Sequence, residues 1–293
     1  MNVDLGGSGG RPRPRGATTF AGHMPLRCVY TDLDGTLLGP RGGLFRDPEG
    51  NFSLSQAKAL QACDRAGVEV VVMSGRREAE VASDSRLMGQ RSYIYEAGCG
   101  VFIDGERTFL TGDWQPDESS TPYEKMVEAG IPDLLFERYG PLLEWHSPWE
   151  VGRKLSFLMR GKVDSAEVNE LLVAEGHHDL RFLDNGVISY DMAAVEGLTH
   201  AYHLVPGGAS KAKGVEFHRR ARGYDAESCI AVGDSIEDLE SSVSVGQFFC
   251  VANGPANDED LRHALPRFGN VTVTEGAMGE GFYEAVVGSL MGA

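Results

Sequence analysis

The chain has 293 residues, of which 42% are hydrophobic, and its 27 Lys and Arg against 43 Asp and Glu give a formal charge of −16. This length allows one large or two modest domains with their own cores. The charge disfavours nucleic acid and anionic membranes as partners. No run has the length of a membrane span or the apolar core of a signal peptide. The five cysteines follow no metal-binding spacing, and their odd number argues against a disulfide framework. The composition predicts a globular cytoplasmic protein with reduced thiols.

Residues 1–23 are rich in Gly, Pro and Arg and lack periodicity, so they predict a flexible leader that buries too little surface to order itself. Met24 is a candidate start of the folded chain. We interpret the three arginines of the leader as part of a solvated tail rather than as a nucleic-acid arm.

Strand and helix patterns alternate after the leader. The apolar run "LRCVYTDLD" predicts a buried strand ending in acid, "LSQAKALQACDRAG" a helix ending at Gly67, and "VEVVVMSGR" a second buried strand. "SYIYEAGCGVFIDG" predicts a hairpin around Gly98. Later in the chain, "SKAKGVEFHRRARG" predicts a helix ending at Gly223, and "SCIAVGDS" and "FFCVANG" predict strands. This order favours an α/β fold with a doubly wound, mostly parallel Rossmann-like sheet.

A segment of different texture interrupts this alternation, from about Thr111 to about Val205. It has Trp, Pro and Tyr clusters, a helical patch in "PYEKMVEAG" and strand patterns in "KLSFLMRG" and "VISYDMAA". We expect a smaller inserted α+β domain over residues 112–204. Residues 24–111 and 205–293 then form the Rossmann-like core.

Two aspartates, Asp32 and Asp34, directly follow the first predicted strand. Residues i and i+2 of a strand point to the same side, so both carboxylates can address one substrate, one as a nucleophile and the other in proton transfer. Asp234 follows a later strand of the same sheet and adds another carboxylate. The carboxyl ends of parallel strands form the binding edge of such sheets. Together these oxygens predict a Mg²⁺ site.

Cationic and hydrogen-bonding groups for an anion occur near the same edge. Ser74 and Gly75 lie where the second strand leads into a predicted helix, so a hydroxyl and free backbone N–H groups can bind a phosphoryl group there. Lys211 can neutralise both that group and the crowded carboxylates. Positioning and charge neutralisation are most of what phosphoryl transfer requires.

The order of these segments, "DLDGT", "SGR", "SK" and "VGDSIED", resembles the four motifs of the haloacid dehalogenase-like phosphohydrolases. The insert between the second and third motifs resembles the type II cap of the sugar-phosphatase branch, which includes Cof-type, sucrose-phosphate and mannosyl-3-phosphoglycerate phosphatases. The resemblance covers nearly everything after Met24. It implies a phosphatase that acts on a small phosphorylated substrate.

The resemblance also implies roles for individual residues. Asp32 would be the nucleophile that forms an aspartyl-phosphate, and Asp34 the general acid and base. Asp32, the backbone carbonyl of Asp34, and Asp234 would hold Mg²⁺. Ser74, with Gly75, would bind the phosphoryl group, which Lys211 would stabilise.

Further residues extend or depart from the family pattern. Asp238 would support Lys211 or the metal from outside the ligand set. Glu237 stands where Cof-type members usually have Asn, and residues 97–99 read "AGC" where they have "NGA". Lys213 competes with Lys211, which the resemblance favours because the family pattern places a small residue directly after the lysine, as Ala212 is here.

Candidate substrate contacts in the cap rest on residue type alone. Arg153 and Lys154 can meet a second anionic group of the substrate or form a solvated edge. Trp114, Trp145 and Trp149 can stack on a sugar ring or pack in the cap core. For His200 and His203, packing at the cap or its hinge is favoured over a metal site, because no third ligand is visible at suitable spacing.

Three functions fit these motifs. The first is a Mg²⁺-dependent phosphomonoesterase acting on a phosphorylated sugar or sugar acid. The second is a phosphosugar mutase that passes the aspartyl-phosphate back to sugar, and the third is a non-catalytic sensor of a phosphorylated metabolite. The proton-transfer aspartate argues against the sensor, and dehalogenation is disfavoured because dehalogenase relatives lack that second Asp. The sequence does not reveal the substrate or the oligomeric state.

Overall fold

The computed structural model describes residues 25–188 and 190–292. The predicted leader and the candidate start Met24 lie outside the described residues. The described residues form two sheets with helices packed around them. None of the helices in these residues is long and apolar enough to cross a bilayer.

The larger sheet has eight strands in the order β12-β11-β10-β1-β2-β3-β4-β5. Neighbours from β12 to β3 pair in parallel, whereas β3, β4 and β5 pair antiparallel. This confirms the predicted mostly parallel α/β fold. The strands are β1 (Cys28–Thr31), β2 (Glu69–Met73), β3 (Ser92–Tyr95), β4 (Gly100–Ile103), β5 (Glu106–Phe109), β10 (Cys229–Gly233), β11 (Gln247–Cys250) and β12 (Val271–Val273).

The smaller sheet is antiparallel and lies between β5 and β10 in the chain. Its order is β6-β7-β9-β8. Its strands are β6 (Leu143–Trp145), β7 (Phe157–Gly161), β8 (Leu180–Ile188) and β9 (Thr199–Pro206). We call this sheet and its helices the cap. The strand predicted near "VISYDMAA" is displaced towards the N-terminus: β8 lies mostly upstream and includes only the first two of those residues.

Ten α-helices are present in the described residues. They are α1 (Ser55–Ala66), α2 (Glu78–Leu87), α3 (Pro122–Glu128), α4 (Ile131–Tyr139), α5 (Ser165–Ala174), α6 (Lys211–Arg222), α7 (Ile236–Leu239), α8 (Asn253–Asn257), α9 (Glu259–Ala264) and α10 (Met278–Met291). Helices α1 and α6 end where predicted, because Gly67 and Gly223 adopt the left-handed conformation that terminates a helix.

Both faces of the larger sheet are covered, which explains its continuous apolar strands. Successive residues of β1 point to opposite faces: Val29 packs in a cluster with α1 and α10, and Tyr30 in a cluster with α6. A third cluster forms the core of the cap. The five cysteines are buried and have no disulfide partner. With both faces packed, the open edge at the carboxyl ends of the strands is left for polar groups.

Candidate active site

Polar residues meet at the carboxyl ends of three adjacent strands. Strands β10, β1 and β2 are neighbours in the sheet, and Asp234, Asp32 and Ser74 respectively follow their last residues. All three side chains line a cavity of about 1030 Å³ that also has walls from the cap. The chain therefore brings together groups from three distant segments, as the strand pattern predicts.

Lys211 is the centre of the buried charge cluster at this edge. Its Nζ donates hydrogen bonds of 2.8 Å to Oδ1 of Asp32 and 2.8 Å to Oδ1 of Asp238, and lies 4.0 Å from Oε2 of Glu237. Burial alone would lower the pKa of Lys211, but the carboxylates of Asp238, Asp32 and Glu237 raise it well above its usual value. Lys211 is therefore a permanent cation at the site.

The acidic groups outnumber this lysine. Oxygen atoms of Asp32, Asp234 and Asp238 lie within 4.8 Å of one another, and both carboxylate oxygens of Glu237 are buried without a hydrogen-bond partner. Burial and, to a smaller extent, repulsion from Asp238 raise the pKa of Asp234 to about 7. Burial also raises the pKa of Glu237 to about 7. A divalent cation relieves this kind of crowding, so the residues present fit an oxygen-ligated metal.

The loop after β1 approaches Asp234 very closely. Gly35 has φ +81°, and a Cβ there would lie 2.3 Å from Oδ2 of Asp234, so only glycine fits. Thr36 donates a hydrogen bond of 3.1 Å to Oδ1 of Asp234. Asn253 donates from Nδ2 both to the Gly35 carbonyl at 2.9 Å and to Oδ2 of Asp234 at 3.2 Å. These bonds fix the carboxylate of Asp234 beside the first motif.

Asp238 holds the fourth motif together. Its Oδ2 accepts hydrogen bonds from the backbone N–H groups of Asp234 and Ser235 at 3.2 Å each and from the Ser235 hydroxyl at 2.7 Å. Ser235 and Asp238 form a capping box at the start of α7. One carboxylate thus both caps a helix and binds Lys211, which is an arrangement suited to orienting the lysine.

Asp34 lies apart from the buried cluster. Its side chain is 59% exposed, and Arg76 holds it through Nε–Oδ2 and Nη2–Oδ1 hydrogen bonds of 2.7 and 2.5 Å. Arg76 also donates to Oδ2 of Asp84 at 2.8 Å. Asp32 and Asp34 thus have different environments. Asp32 is buried and hydrogen-bonded to a lysine, whereas Asp34 is accessible and hydrogen-bonded to an arginine. This difference suits two different chemical roles.

The cap contributes the opposite wall of the cavity. Trp149 and the buried His203 and Arg153 line it, whereas the exposed side chain of Lys154 does not. Burial, together with Arg153 and Lys211, lowers the pKa of His203 well below its usual value, so its imidazole is neutral. Of the three tryptophans, Trp114 and Trp145 instead pack against the cap core.

Three residues of this region escaped the sequence analysis. Arg76, Asn253 and Glu96 were not singled out, although Arg76 is the last letter of "SGR" and Asn253 lies near the end of the predicted strand "FFCVANG". Position gave a signal for both, because polar residues just after a strand of this sheet face the binding edge. Glu96 also directly follows a strand, β3, but the sequence analysis placed it inside a hairpin, and its partners are 58 to 60 residues away in the chain.

Comparisons with known proteins place this geometry among related folds. No protein-family model matches the chain. It is 25% identical over 261 residues to a phosphoglycolate phosphatase of Methanothermobacter thermautotrophicus, covering 89% of this chain and 97% of that protein. It is 22% identical to the phosphatase YwpJ of Bacillus subtilis, covering 82% of this chain and 94% of that protein.

Solved structures share the fold of the chain. The sucrose-phosphatase of Synechocystis, solved with sucrose and phosphate, superposes with a TM-score of 0.63 at 12% identity and covers 91% of this chain and 98% of its own. A haloacid dehalogenase-like hydrolase of B. subtilis gives 0.56 at 19% identity, covering 89% and 99%. The predicted resemblance is confirmed: the chain has the fold of the haloacid dehalogenase-like hydrolases.

Proposed function

We propose that the chain is a Mg²⁺-dependent phosphomonoesterase that hydrolyses a phosphorylated sugar or sugar acid through an aspartyl-phosphate. The observation that carries the proposal is the pairing of buried Asp32 with Lys211 at the edge that Ser74 and Asp234 share. An ion pair with a purely structural role would not need a second, accessible aspartate beside it, as Asp34 is here. The two relatives described above support the reaction class, since both are named phosphatases.

In this mechanism Asp32 attacks phosphorus and the bond to the leaving oxygen breaks. Asp34, in its protonated form and released from one of its bonds to Arg76, gives its proton to that oxygen, so the alcohol departs neutral. Water then attacks the aspartyl-phosphate and loses a proton to Asp34, which restores both residues and releases inorganic phosphate. Ser74 and the Gly75 N–H orient the phosphoryl oxygens, and Lys211 neutralises their charge.

Asp32, the backbone carbonyl of Asp34, and Asp234 would hold the metal ion. When bound, Mg²⁺ supplies positive charge to the phosphoryl group and to the crowded carboxylates. The raised pKa of Asp234 supports this assignment, because a neighbouring cation favours the ionised carboxylate. Asp238 would act behind Lys211 rather than on the metal.

The size and lining of the cavity support a sugar-sized substrate. Its volume of about 1030 Å³ far exceeds the needs of a phosphoryl group alone. Trp149, 55% exposed at the wall, offers an aromatic face to a sugar ring. Phosphoglycolate, a phosphorylated hydroxy acid, is named for relatives at 25% identity. A cytoplasmic location belongs to the same proposal and is supported by the unpaired cysteines.

A substrate panel tests the proposal. Purified protein is assayed for phosphate release from p-nitrophenyl phosphate, phosphoglycolate, hexose phosphates and sucrose phosphate, with Mg²⁺ and with chelator in excess. We expect slow hydrolysis of the aryl phosphate, faster hydrolysis of at least one natural phosphate, and loss of both with chelator. Absence of turnover throughout would contradict the proposal. Isomerisation of a sugar phosphate without phosphate release would indicate a mutase instead.

A further inference from the structure

The loop Ser74–Arg76, which would bind the phosphoryl group, has every carbonyl engaged. Backbone N–H groups of Ala97 and Glu96 donate to the carbonyls of Ser74 at 3.1 Å and Arg76 at 2.9 Å. The middle carbonyl, that of Gly75, accepts from a side chain. Across residues 25–188 and 190–292, no acceptor is found for the Gly75 N–H, and Gly75 lines the cavity. Fixing the carbonyls in this way leaves that N–H for an anion.

The donor to the middle carbonyl comes from the cap. Nη2 of Arg153 lies 2.5 Å from the Gly75 oxygen, and Nη1 donates to the Ser156 hydroxyl at 3.0 Å. Arg153 is only 6% exposed. Two of the three guanidinium nitrogens of Arg153 are therefore hydrogen-bonded to groups of the protein. This contrasts with the prediction that Arg153 meets a second anionic group of the substrate.

Glu96 fixes the segment that carries Arg153. Its carboxylate accepts hydrogen bonds from the backbone N–H groups of Lys154 at 3.1 Å and of Leu155 and Ser156 at 2.9 Å, and another of 2.9 Å from the Ser156 hydroxyl. Glu96 is 1% exposed and has φ +47°, a conformation that costs energy for a residue with a side chain. Its backbone holds the phosphoryl-binding loop while its side chain holds the cap.

A second cap residue packs on the same loop. A Cβ at Gly75 would lie 2.5 Å from Nε2 of His203, so the imidazole of β9 occupies the space where a side chain would be. Contacts from β9 and from the segment before β7 therefore converge on Gly75. The loop is shaped by the cap as well as by the core.

We propose that Arg153 is a positioning residue, seated by Glu96, that orients the Gly75 peptide for the phosphoryl group when the cap is in place. The proposal rests on the proposed function, because it takes Gly75 as a phosphoryl-binding residue. It makes the arginine sensitive to the docking of the cap rather than to the identity of the substrate. Binding of the phosphoryl group is thereby linked to the docking of the cap on the core.

Two substrates separate positioning from substrate contact. p-Nitrophenyl phosphate has no second anionic group, whereas phosphoglycolate has a carboxylate. A positioning role predicts that Arg153→Ala lowers kcat/KM for both by a similar factor of about 10 to 100, because a small misplacement of a binding group is costly. Inhibition by vanadate should weaken in parallel, and Arg153→Lys should recover part of both losses by restoring a donor.

Arg160→Ala is the matched control. Arg160 is another cap arginine with 6% exposure, but it bonds within the cap, to Glu144 and to the carbonyl of Ser147. Thermal unfolding of both variants shows whether they fold. We expect the control to keep the wild-type inhibition by vanadate. A loss confined to phosphoglycolate, or an equal loss in the control, would overturn the proposal.

Hydrogen exchange gives a readout without turnover. Amides of peptides covering residues 74–76 and 96–97 should exchange faster in Arg153→Ala than in wild type and in Arg160→Ala. The loop loses the hydrogen bond to its Gly75 carbonyl, so the bonds of the Ser74, Glu96 and Ala97 N–H groups should open more often. Unchanged exchange would overturn the inference even in an active enzyme. Faster exchange in a protein that hydrolyses none of the panel would support the positioning while contradicting the phosphatase proposal, so the two failures are distinguishable.

Discussion

Arg76 binds both carboxylate oxygens of Asp34, at 2.7 and 2.5 Å, and holds the exposed aspartate of the first motif beside the second motif. The bidentate geometry fixes the carboxylate plane more firmly than a single bond does. If Asp34 transfers the proton to the leaving oxygen, Arg76 sets where that proton is delivered.

We therefore expect Arg76→Gln to act through the leaving group. Hydrolysis of alkyl phosphates, whose leaving oxygen needs a proton, should fall by about 10-fold or more, and that of p-nitrophenyl phosphate should change much less. The measurement is kcat for a series of leaving groups. Arg86→Gln, at an exposed position in the following helix α2, controls for loss of charge. A uniform decrease across the series would mean that Arg76 serves binding instead.

The two aspartates should respond differently to the same change. Asp32→Asn should abolish turnover and leave no acid-stable, alkali-labile phosphoryl adduct, because an amide oxygen is a poor nucleophile. Asp34→Asn should be about 10²- to 10⁴-fold slower yet still form the adduct with an aryl phosphate. Rapid-quench trapping distinguishes them. An adduct on the Asp32 variant, or equal rescue of both by a good leaving group, would reverse the assignment.

Replacing Asp234 tests the metal. Asp234→Asn keeps the shape but removes one charge of the proposed ligand set, so more Mg²⁺ should be needed for half-maximal activity. Titration of activity against Mg²⁺ measures the shift. Asp260→Asn, which changes an exposed acid on the cavity rim, controls for the loss of one negative charge near the site. The same Mg²⁺ requirement in wild type and Asp234→Asn would remove Asp234 from the ligand set.

A network far from the active site should control acid stability. Burial alone would raise the pKa of Glu69, but interactions with His218, Arg222 and Ser92 outweigh it and lower that pKa to about 2 from 4.5. Between these values the unfolded chain binds more protons than the folded one, so the free energy of unfolding decreases as the pH is lowered. The contribution of Glu69 is complete above about pH 4.5 and is lost as the pH falls towards 2.

Glu69→Gln should therefore destabilise the protein most at neutral pH. The difference in free energy of unfolding between wild type and variant, measured in urea, should shrink from pH 7 to pH 3. Glu216→Gln provides the control, because Glu216 forms a surface pair with Arg220 within α6. A difference for Glu69→Gln that stays constant over this range would argue that its network is merely steric.

The ends of the strands were the predictable part of the site. Asp32, Ser74 and Asp234 each follow a continuous apolar run, and parallel strands necessarily bring such ends to one edge. Lys211 lies at the start of a helix pattern, but its choice over Lys213 came from the resemblance to the family. The inferences on the strand ends need only periodicity and chain direction, which are local properties of the sequence.

Contacts between distant segments were not predictable in this way. Lys154 follows Arg153 in the chain, but the structure buries one side chain and exposes the other. Strand β8 was misplaced because "DNG", a common turn signal, lies inside it at a register shift between Asp184 and Val187. Pairing with β9 outweighs the local preference there, and periodicity does not report such pairing.

Strand β9 ends at Pro206, and α6 begins at Lys211, so four residues join the cap sheet to the helix of the buried lysine. With His203 of the same strand against Gly75, the cap is tied to two groups of the reaction centre by covalent and packing contacts. Caps of this kind are therefore poor candidates for free exchange between homologues. A chimera with a foreign cap would gain the substrate contacts of that cap. It would also need matching partners for Glu96 and Gly75. Without them its catalytic rate would fall, whatever substrate the chimera was built to accept.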